Sequence, residues 1–476
     1  MKAAGFLKSP WAKPVAVALL AAALFTAWML KDSGKPLSLR VPGTDKAPDS
    51  GLGTNANAVL AGKLIRGGGV PGTNLPGAWP QFRGPNLDSI SPEQTRLLRA
   101  WQVGEPRELW GVDVGEGYAG ASVWNGRVYL MDYDREKKQD ALRCLSLADG
   151  SEIWRFAYPV NVKRNHGMSR TVPTVAGNRV VAMGPKCHVV CVDASSGELR
   201  WGMDLVQEHG TTVPQWYAGQ APLIEGEQVV LAPGGPDALV MAVQLSTGQP
   251  IWRTPNPRGW KMTHSSLTPM EFAGERFYVY CADKGVVGVS AKDGRLLWET
   301  TEWKISIATV PSPVVVEGGR IFLSGGYNAG SVMLQLRKEG DRIVPGVAYR
   351  LGPEVFGATQ HTPIVYENHV YGVRPDGKFV CLTLEGKTVW VSETGQQFGL
   401  GPFLMADGLI FAVNDSGLLR LIEATPARYH LLGQAQVLKG RESWGPLALA
   451  GGRLLARDFT RLVCLEVAQP LSVARP

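Results

Sequence analysis

Histidine, arginine, glutamate and aromatic residues recur in short segments that each precede an apolar run of the chain. These residues are His166, Arg170, Trp216, Tyr217, Gln220, Lys261, His264, Ser265, Gln360, His361, Phe398, Glu442 and Trp444. Polar and aromatic side chains that converge on a concave opening are typical of a small-ligand site. They could equally hydrogen-bond loop backbone and water, and the sequence leaves both interpretations open. We assign no catalytic residue among them.

The six cysteines, at 144, 187, 191, 281, 381 and 464, show none of the usual reactive spacings. Without a CxxC or CxxCH motif, zinc-ribbon and c-type haem interpretations lack their ligands. Cys144 and Cys191 each stand six residues before a glycine, where other copies of the same pattern have Ala242 and Gly288. We therefore expect the cysteines to be small buried packing residues.

A repeat of 41 to 51 residues supplies the elements that must position the candidate ligand residues. Each copy has apolar strands separated by Gly or Asn turns, and five copies end in Gly-x-x-x-Trp, at Trp154, Trp201, Trp252, Trp298 and Trp390. The spacing to Trp390 is two repeats, and Tyr349 lies midway, so we predict that it replaces a tryptophan. Four-stranded repeats of this length predict β-propeller blades.

Eight first-turn signals predict eight blades, and the ends of the chain indicate how the ring closes. The last repeat supplies three strands and no tryptophan strand. A stray strand around Trp110 precedes Trp154 by 44 residues, one blade period. We therefore expect this strand to complete the last blade, which would leave no free sheet edge at the seam. The fold class predicted is all-β, an eight-bladed propeller over residues 79–476.

Segments such as RCLSLADGSEIW (143–154) and VCVDASSGELRW (190–201) resemble the tryptophan-docking repeat of pyrroloquinoline-quinone (PQQ) propellers. Trp79 to Pro85 (WPQFRGP) is similar to the start of many bacterial PQQ-like repeat proteins. The resemblance implies that Trp110, Trp154, Trp201, Trp252, Trp298 and Trp390 dock between blades. The family contains quinoprotein alcohol dehydrogenases with PQQ and calcium, the outer-membrane-protein assembly lipoprotein without a cofactor, and uncharacterised envelope proteins.

The motifs of the enzymatic branch are not matched in this chain. That branch uses a disulfide between adjacent cysteines, and this chain has no adjacent pair. Its calcium-binding residues and catalytic aspartate could not be assigned to positions here. We predict no cofactor, with PQQ and calcium as the alternative, and no metal site, since His166, His264 and His361 would face one another across a wide channel.

An apolar run, Val15 to Leu30, follows Lys2, Lys8 and Lys13. Sixteen residues at 1.5 Å per residue give about 24 Å, marginal for a bilayer core of about 30 Å. We predict that residues 1–30 form a membrane anchor with a cytoplasmic N-terminus, or alternatively a signal peptide. Residues 31–78 contain no Phe, Trp or Tyr and are predicted to be a flexible linker.

The charge of +7 falls mainly on the N-terminal 78 residues, which hold nine basic and three acidic residues. The remainder carries only +1 (7 − 6), so nucleic-acid binding is not predicted. The function predicted is a membrane-anchored, extracytoplasmic scaffold that binds an envelope protein or small ligand through propeller loops. The alternative is a PQQ-type oxidoreductase, or another small-molecule enzyme, with its site at the propeller mouth.

Overall fold

The computed structural model describes residues 12–30 and 57–470. The first of these ranges is a helix, α1 (Ala12–Leu30). Across the described residues, no helix meets the length and hydropathy required to cross a membrane. Helix α1 coincides with the apolar run of the sequence, and the predicted membrane span itself is not shown.

Residues 57–470 form a propeller of eight antiparallel sheets, as the repeat predicted. Two short helices accompany it, a 3-10 turn at Ala58–Ala61 and α2 at Leu205–His209. Strands β1 and β2 precede the first repeat and span Lys63–Arg66 and Arg107–Asp113.

The remaining strands follow in blade order from the innermost strand outward. In blades 1 to 4 they are β3 to β18, at Ser122–Trp124, Arg127–Asp134, Gln139–Ser146, Glu152–Pro159; Thr174–Ala176, Arg179–Met183, His188–Asp193, Leu199–Asp204; Leu223–Glu225, Gln228–Leu231, Val240–Gln244, Pro250–Thr254; Thr268–Phe272, Glu275–Cys281, Val286–Ser290 and Leu296–Thr300. In blades 5 to 8 they are β19 to β33, at Val314–Val316, Arg320–Gly325, Gly330–Glu339, Arg342–Leu351; Ile364–Tyr366, His369–Val373, Phe379–Thr383, Thr388–Val391; Phe403–Ala406, Leu409–Val413, Leu418–Glu423, Leu431–Gln436; Ala448–Ala450, Arg453–Arg457 and Arg461–Glu466.

The ring closes as the sequence predicted, because the N-terminal strand β2 completes the blade that the C-terminal strands form. Strand β2 is the outermost strand of blade 8 and pairs antiparallel with β33, with Trp110 opposite Cys464. The Trp110 indole is 7% exposed, and its Nε1 donates to the carbonyl of Leu147 in blade 1 at 3.0 Å. Because β2 caps β33, the last blade has no unpaired third strand.

Four of the docking tryptophans, Trp110, Trp154, Trp201 and Trp252, pack over the motif glycine of the next blade. A Cβ added to Gly150 would lie 2.7 Å from the Trp110 ring, and one added to Gly197 would lie 2.6 Å from the Trp154 ring. Both glycines have positive φ, so a side chain would meet strain as well as a clash. Tyr349 takes the equivalent place in blade 5, because its hydroxyl donates to the Leu384 carbonyl at 2.8 Å.

A small residue stands directly across the ladder from most of these tryptophans, and this explains most of the cysteines. The opposing pairs are Cys144 with Trp154, Cys191 with Trp201, Ala242 with Trp252, Gly288 with Trp298, Cys381 with Trp390 and Cys464 with Trp110. All six cysteines are free and buried. Cys144, Cys191, Cys381 and Cys464 fill the space beside an indole, and Cys187 and Cys281 are buried elsewhere in the blades.

The linker predicted over residues 31–78 is wrong for its second part. Strand β1 pairs with β6 and gives blade 1 a fifth strand, with Leu64 opposite Phe156. Val59, just before it, is fully buried among blade 1 and blade 2 side chains. A short segment can bury its aliphatic side chains against the edge of a sheet, and this burial stabilises its docking without any aromatic residue. Residues 31–56 lie outside the described residues.

Candidate functional site

A segment at residues 79–91, here called the crossing segment, lies across one end of the central channel. Trp79 exchanges backbone hydrogen bonds with Val123 of β3 in blade 1, at 2.9 and 2.8 Å. The carbonyl of Pro80 accepts from Val175 of β7 in blade 2, at 2.8 Å. Arg83 reaches the Pro363 carbonyl ahead of blade 6, at 3.3 Å. The segment therefore contacts innermost strands or their approaches on several sides of the ring.

Beyond Ser89 the crossing segment pairs with blade 7. Ser91 donates to the Met405 carbonyl at 2.8 Å, and Met405 donates to the Ser89 carbonyl at 2.9 Å. The flanking residues contact turns that follow innermost strands, since Gly72 donates to Gly126 and Gly451 donates to the Glu93 carboxylate. The crossing segment thus occupies the end of the channel where the innermost strands finish.

A cavity of about 300 Å³ lies between the crossing segment and the opposite end of the channel, here called the mouth. The mouth carries the residues that precede the innermost strands. The lining residues with polar or aromatic side chains are Trp79, Phe82, Arg83, Ser89, Tyr118, His166, Arg170, Trp216, His264, Tyr327, Gln360, His361, Thr362, Phe403 and Trp444. This volume is at the lower end of the range for small-ligand pockets.

Seven of the sequence-predicted ligand residues line the cavity: His166, Arg170, Trp216, His264, Gln360, His361 and Trp444. They come from five different blade approaches, so the repeat positions them as the sequence pattern indicated. Whether they bind a ligand stays a prediction.

The other predicted residues serve the surrounding structure. The Tyr217 hydroxyl donates to the Lys163 carbonyl, and the Gln220 amide bonds the backbone of Ala232. Lys261 is exposed outside the cavity, and Ser265 and Phe398 are buried in the blades. Glu442 accepts from the Tyr118 hydroxyl at 2.6 Å behind the lining.

The cavity lining is cationic at two buried guanidinium groups. Arg83 is 7% exposed and its Nε also donates to Ser89 Oγ at 3.3 Å. Burial lowers the pKa of Arg83 to about 10, and burial likewise lowers the pKa of Arg170 to about 10. Both groups therefore remain charged at neutral pH. Among the described lining residues there is no aspartate or glutamate.

Two histidines of the lining, half-buried His264 and buried His361, are neutral at physiological pH. Burial, with a smaller contribution from the charge of Arg170, lowers the pKa of His264 to about 3. Burial lowers the pKa of His361 to about 4. Their imidazole rings therefore act as neutral polar surface and do not add to the positive charge.

Arg170 is held in place by the mouth loops. Its Nε donates to the carbonyl of Trp216, and its Cζ lies 4.9 Å from the centre of the Tyr118 ring. The Tyr118 ring also packs on Trp444, with 5.1 Å between ring centres. Within the part of the chain that the structure describes, the Nη2 of Arg170 has no hydrogen-bond acceptor. A buried donor in this state favours an acceptor supplied by a ligand.

Several mouth residues have left-handed backbone conformations that non-glycine residues seldom adopt. His166 has φ 55°, Trp216 φ 64° and Tyr327 φ 55°. Each such residue costs of order 1–3 kcal/mol, and clusters of them occur at ligand sites. The sequence gives no periodic signal for them, so they could not be predicted.

Sequence reasoning missed the part of the lining that the crossing segment supplies. Trp79, Phe82, Arg83 and Ser89 precede the repeat, and nothing in its period places them in the channel. The WPQFRGP motif was a signal, because two aromatic residues and an arginine stand out in a chain region otherwise poor in them. Its route across the ring follows only from the observed strand pairings.

The residues present do not fit a calcium and quinone centre. Calcium is bound by six to eight oxygen ligands, of which carboxylates are the usual charged ones. The described lining offers no carboxylate, and no group of three His, Cys, Asp or Glu among the described residues could hold a metal ion. The buried, separated cysteines provide no adjacent pair.

Comparison with known proteins places the fold. The family profile of the outer membrane protein assembly factor BamB matches residues 137–391. No curated protein sequence matches the chain. BamB from Moraxella catarrhalis is similar at a TM-score of 0.51 and 12% identity, covering 75% of this chain and 99% of that one.

Two further solved structures are similar to this chain. The computationally designed protein Ika8 has a TM-score of 0.52 and 13% identity, covering 75% of this chain and 99% of that one. The quinohemoprotein alcohol dehydrogenase from Comamonas testosteroni has a TM-score of 0.42 and 13% identity, covering 84% and 82%. Identities this low speak to the fold alone.

Proposed function

Because the chain belongs to the family of the outer membrane protein assembly factor BamB, we propose that it is a scaffold protein of the cell envelope that binds a partner protein through propeller loops. The observation that carries the proposal is the family match, which covers more than half of the chain. A closed ring of eight blades supports this role, since it presents many loops from a rigid frame.

The face around the mouth is the surface that we propose for the partner. Ile307, in the loop between blades 4 and 5, is 53% exposed there, and Tyr327, in a turn within blade 5, is 40% exposed. Trp216 and Trp444 lie half-buried close by. Aromatic residues with one exposed edge are enriched in protein interfaces and contribute strongly to binding.

A site-specific crosslinker tests this surface in the full chain. Placed at Ile307, it should give a discrete product with an envelope protein, and Tyr327→Ala should reduce the yield. Placed at Val389, which is 41% exposed on an outer strand, it should not give that product. The same product from both positions, or none from Ile307, would contradict the proposal.

We further propose that the N-terminal segment anchors the propeller on the outer side of a membrane. The support is the apolar run Val15 to Leu30 behind three lysines. A reporter that is active only after export, fused after Pro476, should be active. An active cytoplasm-only reporter at the same position would refute the topology.

We also propose that the protein acts without bound quinone. Full-length protein incubated with PQQ and Ca²⁺ should show no quinone absorbance after desalting and no dye-linked alcohol oxidation. Stoichiometric quinone retention with oxidation would favour the oxidoreductase alternative instead.

A further inference from the structure

The cavity beneath the mouth has the composition of a small-anion site, independently of any partner protein. Two arginines line the cavity: Arg83 belongs to the crossing segment, and Arg170 belongs to the loop that precedes the innermost strand of blade 2. The two carboxylates nearest these arginines, Asp88 and Glu442, are outside the lining. The Glu442 carboxylate already accepts a hydrogen bond from the Tyr118 hydroxyl.

Arg170 is a charged group of the lining in which one buried nitrogen has no acceptor among the described residues. One nitrogen of its guanidinium is fixed by the Trp216 carbonyl, while Nη2 has no acceptor among the described residues. A planar guanidinium pairs best with a carboxylate or phosphate group. The Tyr118 ring covers one face of Arg170, which fixes the orientation of the fork.

The remaining walls restrict the ligand to one with a compact apolar body. Phe82, Trp444 and Phe403 contribute aromatic surface, and the neutral imidazoles add no charge. A volume of about 300 Å³ suits a single-ring molecule. An inorganic ion alone would leave these aromatic walls uncovered.

We infer that this cavity binds a small aromatic monocarboxylate, with the carboxylate on Arg170 and the ring against the aromatic walls. The inference goes beyond the proposed scaffold role, because the ligand lies inside the ring while the partner contacts its rim. Trp216 and Trp444 belong to both surfaces, so the two proposals are distinguished at Ile307, which lies outside the cavity lining, and at Arg170, which lies within it.

Binding of benzoate to the full-length protein, measured by titration calorimetry, tests the inference. Benzoate should bind with a Kd of about 1 mM or below. Benzamide, which has the same shape without charge, should bind about tenfold more weakly, because a charge-assisted hydrogen bond is lost. Inorganic phosphate, an anion without a ring, should also bind about tenfold more weakly.

Substitutions separate the roles of charge and position. Arg170→Gln should weaken benzoate about tenfold or more. Arg164→Gln, in the same loop but outside the lining and paired with Glu116 at 2.7 Å, should change it less than about twofold. If Arg170→Gln lowers the melting temperature markedly, Arg170→Lys replaces it, and should also weaken benzoate because a lysine lacks the planar fork.

Four results would overturn the inference, three of them with benzoate and one with phosphate. The three with benzoate are no benzoate binding up to about 10 mM, equal binding of benzoate and benzamide, and full benzoate affinity in folded Arg170 variants. Phosphate binding as tight as benzoate would show a simple anion site and would refute the aromatic class.

Discussion

Truncation of Trp110 to alanine should destabilise the whole propeller, because this side chain joins the last blade to the first. The indole is 7% exposed and packs over Gly150 of blade 1. Removing a buried aromatic side chain costs roughly 3–5 kcal/mol. The Trp110→Ala change also leaves the Leu147 carbonyl without its donor, which adds about 1 kcal/mol.

The measurement is thermal unfolding of the full-length protein by calorimetry. A loss of that size should lower the melting temperature by roughly 5–10 °C in a domain of this size. Trp110→Phe should fall between wild type and alanine, since it keeps a ring but loses the indole hydrogen bond. Val103→Ala, a fully exposed residue of the preceding segment, is the control and should have no effect. Equal melting temperatures for Trp110→Ala and Val103→Ala would refute the closure of the ring at this seam.

Three further substitutions test other parts of the account by their effect on the free energy of unfolding. Leu64→Ala should destabilise the protein by about 1 kcal/mol, because Leu64 packs on blade 1. Ile65 is 49% exposed, so Ile65→Ala should not destabilise it. Equal effects of the two substitutions would contradict the docking of β1. Tyr349→Phe should cost about 1 kcal/mol through loss of the bond to Leu384, and an unchanged stability would mean that the hydroxyl does not replace an indole donor. Burial raises the pKa of Asp140 from 3.8 to about 7, so between these pH values the folded protein holds a proton that the unfolded protein has lost, and the free energy of unfolding should fall as pH rises from about 4 to about 7. Asp140→Asn should remove that fall, whereas Asp341→Asn, at an exposed position, should keep it. A wild-type pH profile in Asp140→Asn would refute the assignment.

The blade architecture could be predicted because each determinant is local and repeated. Turn glycines and apolar strands recur through the repeats, and five copies carry a tryptophan at fixed spacing, so a degenerate copy can be placed from its neighbours. The missing tryptophan strand in the last repeat pointed to Trp110 for the same reason. Tyr349 was recognised from its position alone, and its hydrogen bond to the next blade explains why a tyrosine suffices.

The N-terminal contacts could not be predicted, because they depend on edges and openings that exist only after the ring forms. Leu64 and Asn57 have no periodic context, and their partners, Phe156 and Gly202, lie about 90 and 145 residues away. The crossing segment likewise obtains its hydrogen bonds from blades 1, 2 and 7. Seven residues of the candidate site therefore followed from the repeat, and the crossing segment that brings Arg83 into the channel did not.

Hydrogen exchange by mass spectrometry on the full-length protein tests the central claim most directly, namely that residues 57–113 complete the propeller and supply one end of its cavity. Backbone amides of Trp79 and Ser91 are bonded to innermost strands, and β1 and β2 are paired with blades 1 and 8. We predict slow exchange at residues 63–66, 79–91 and 107–113, comparable to the blade strands. Exchange at the rate of an unstructured peptide across residues 57–91 would contradict it, and would remove both the fifth strand and the cavity floor.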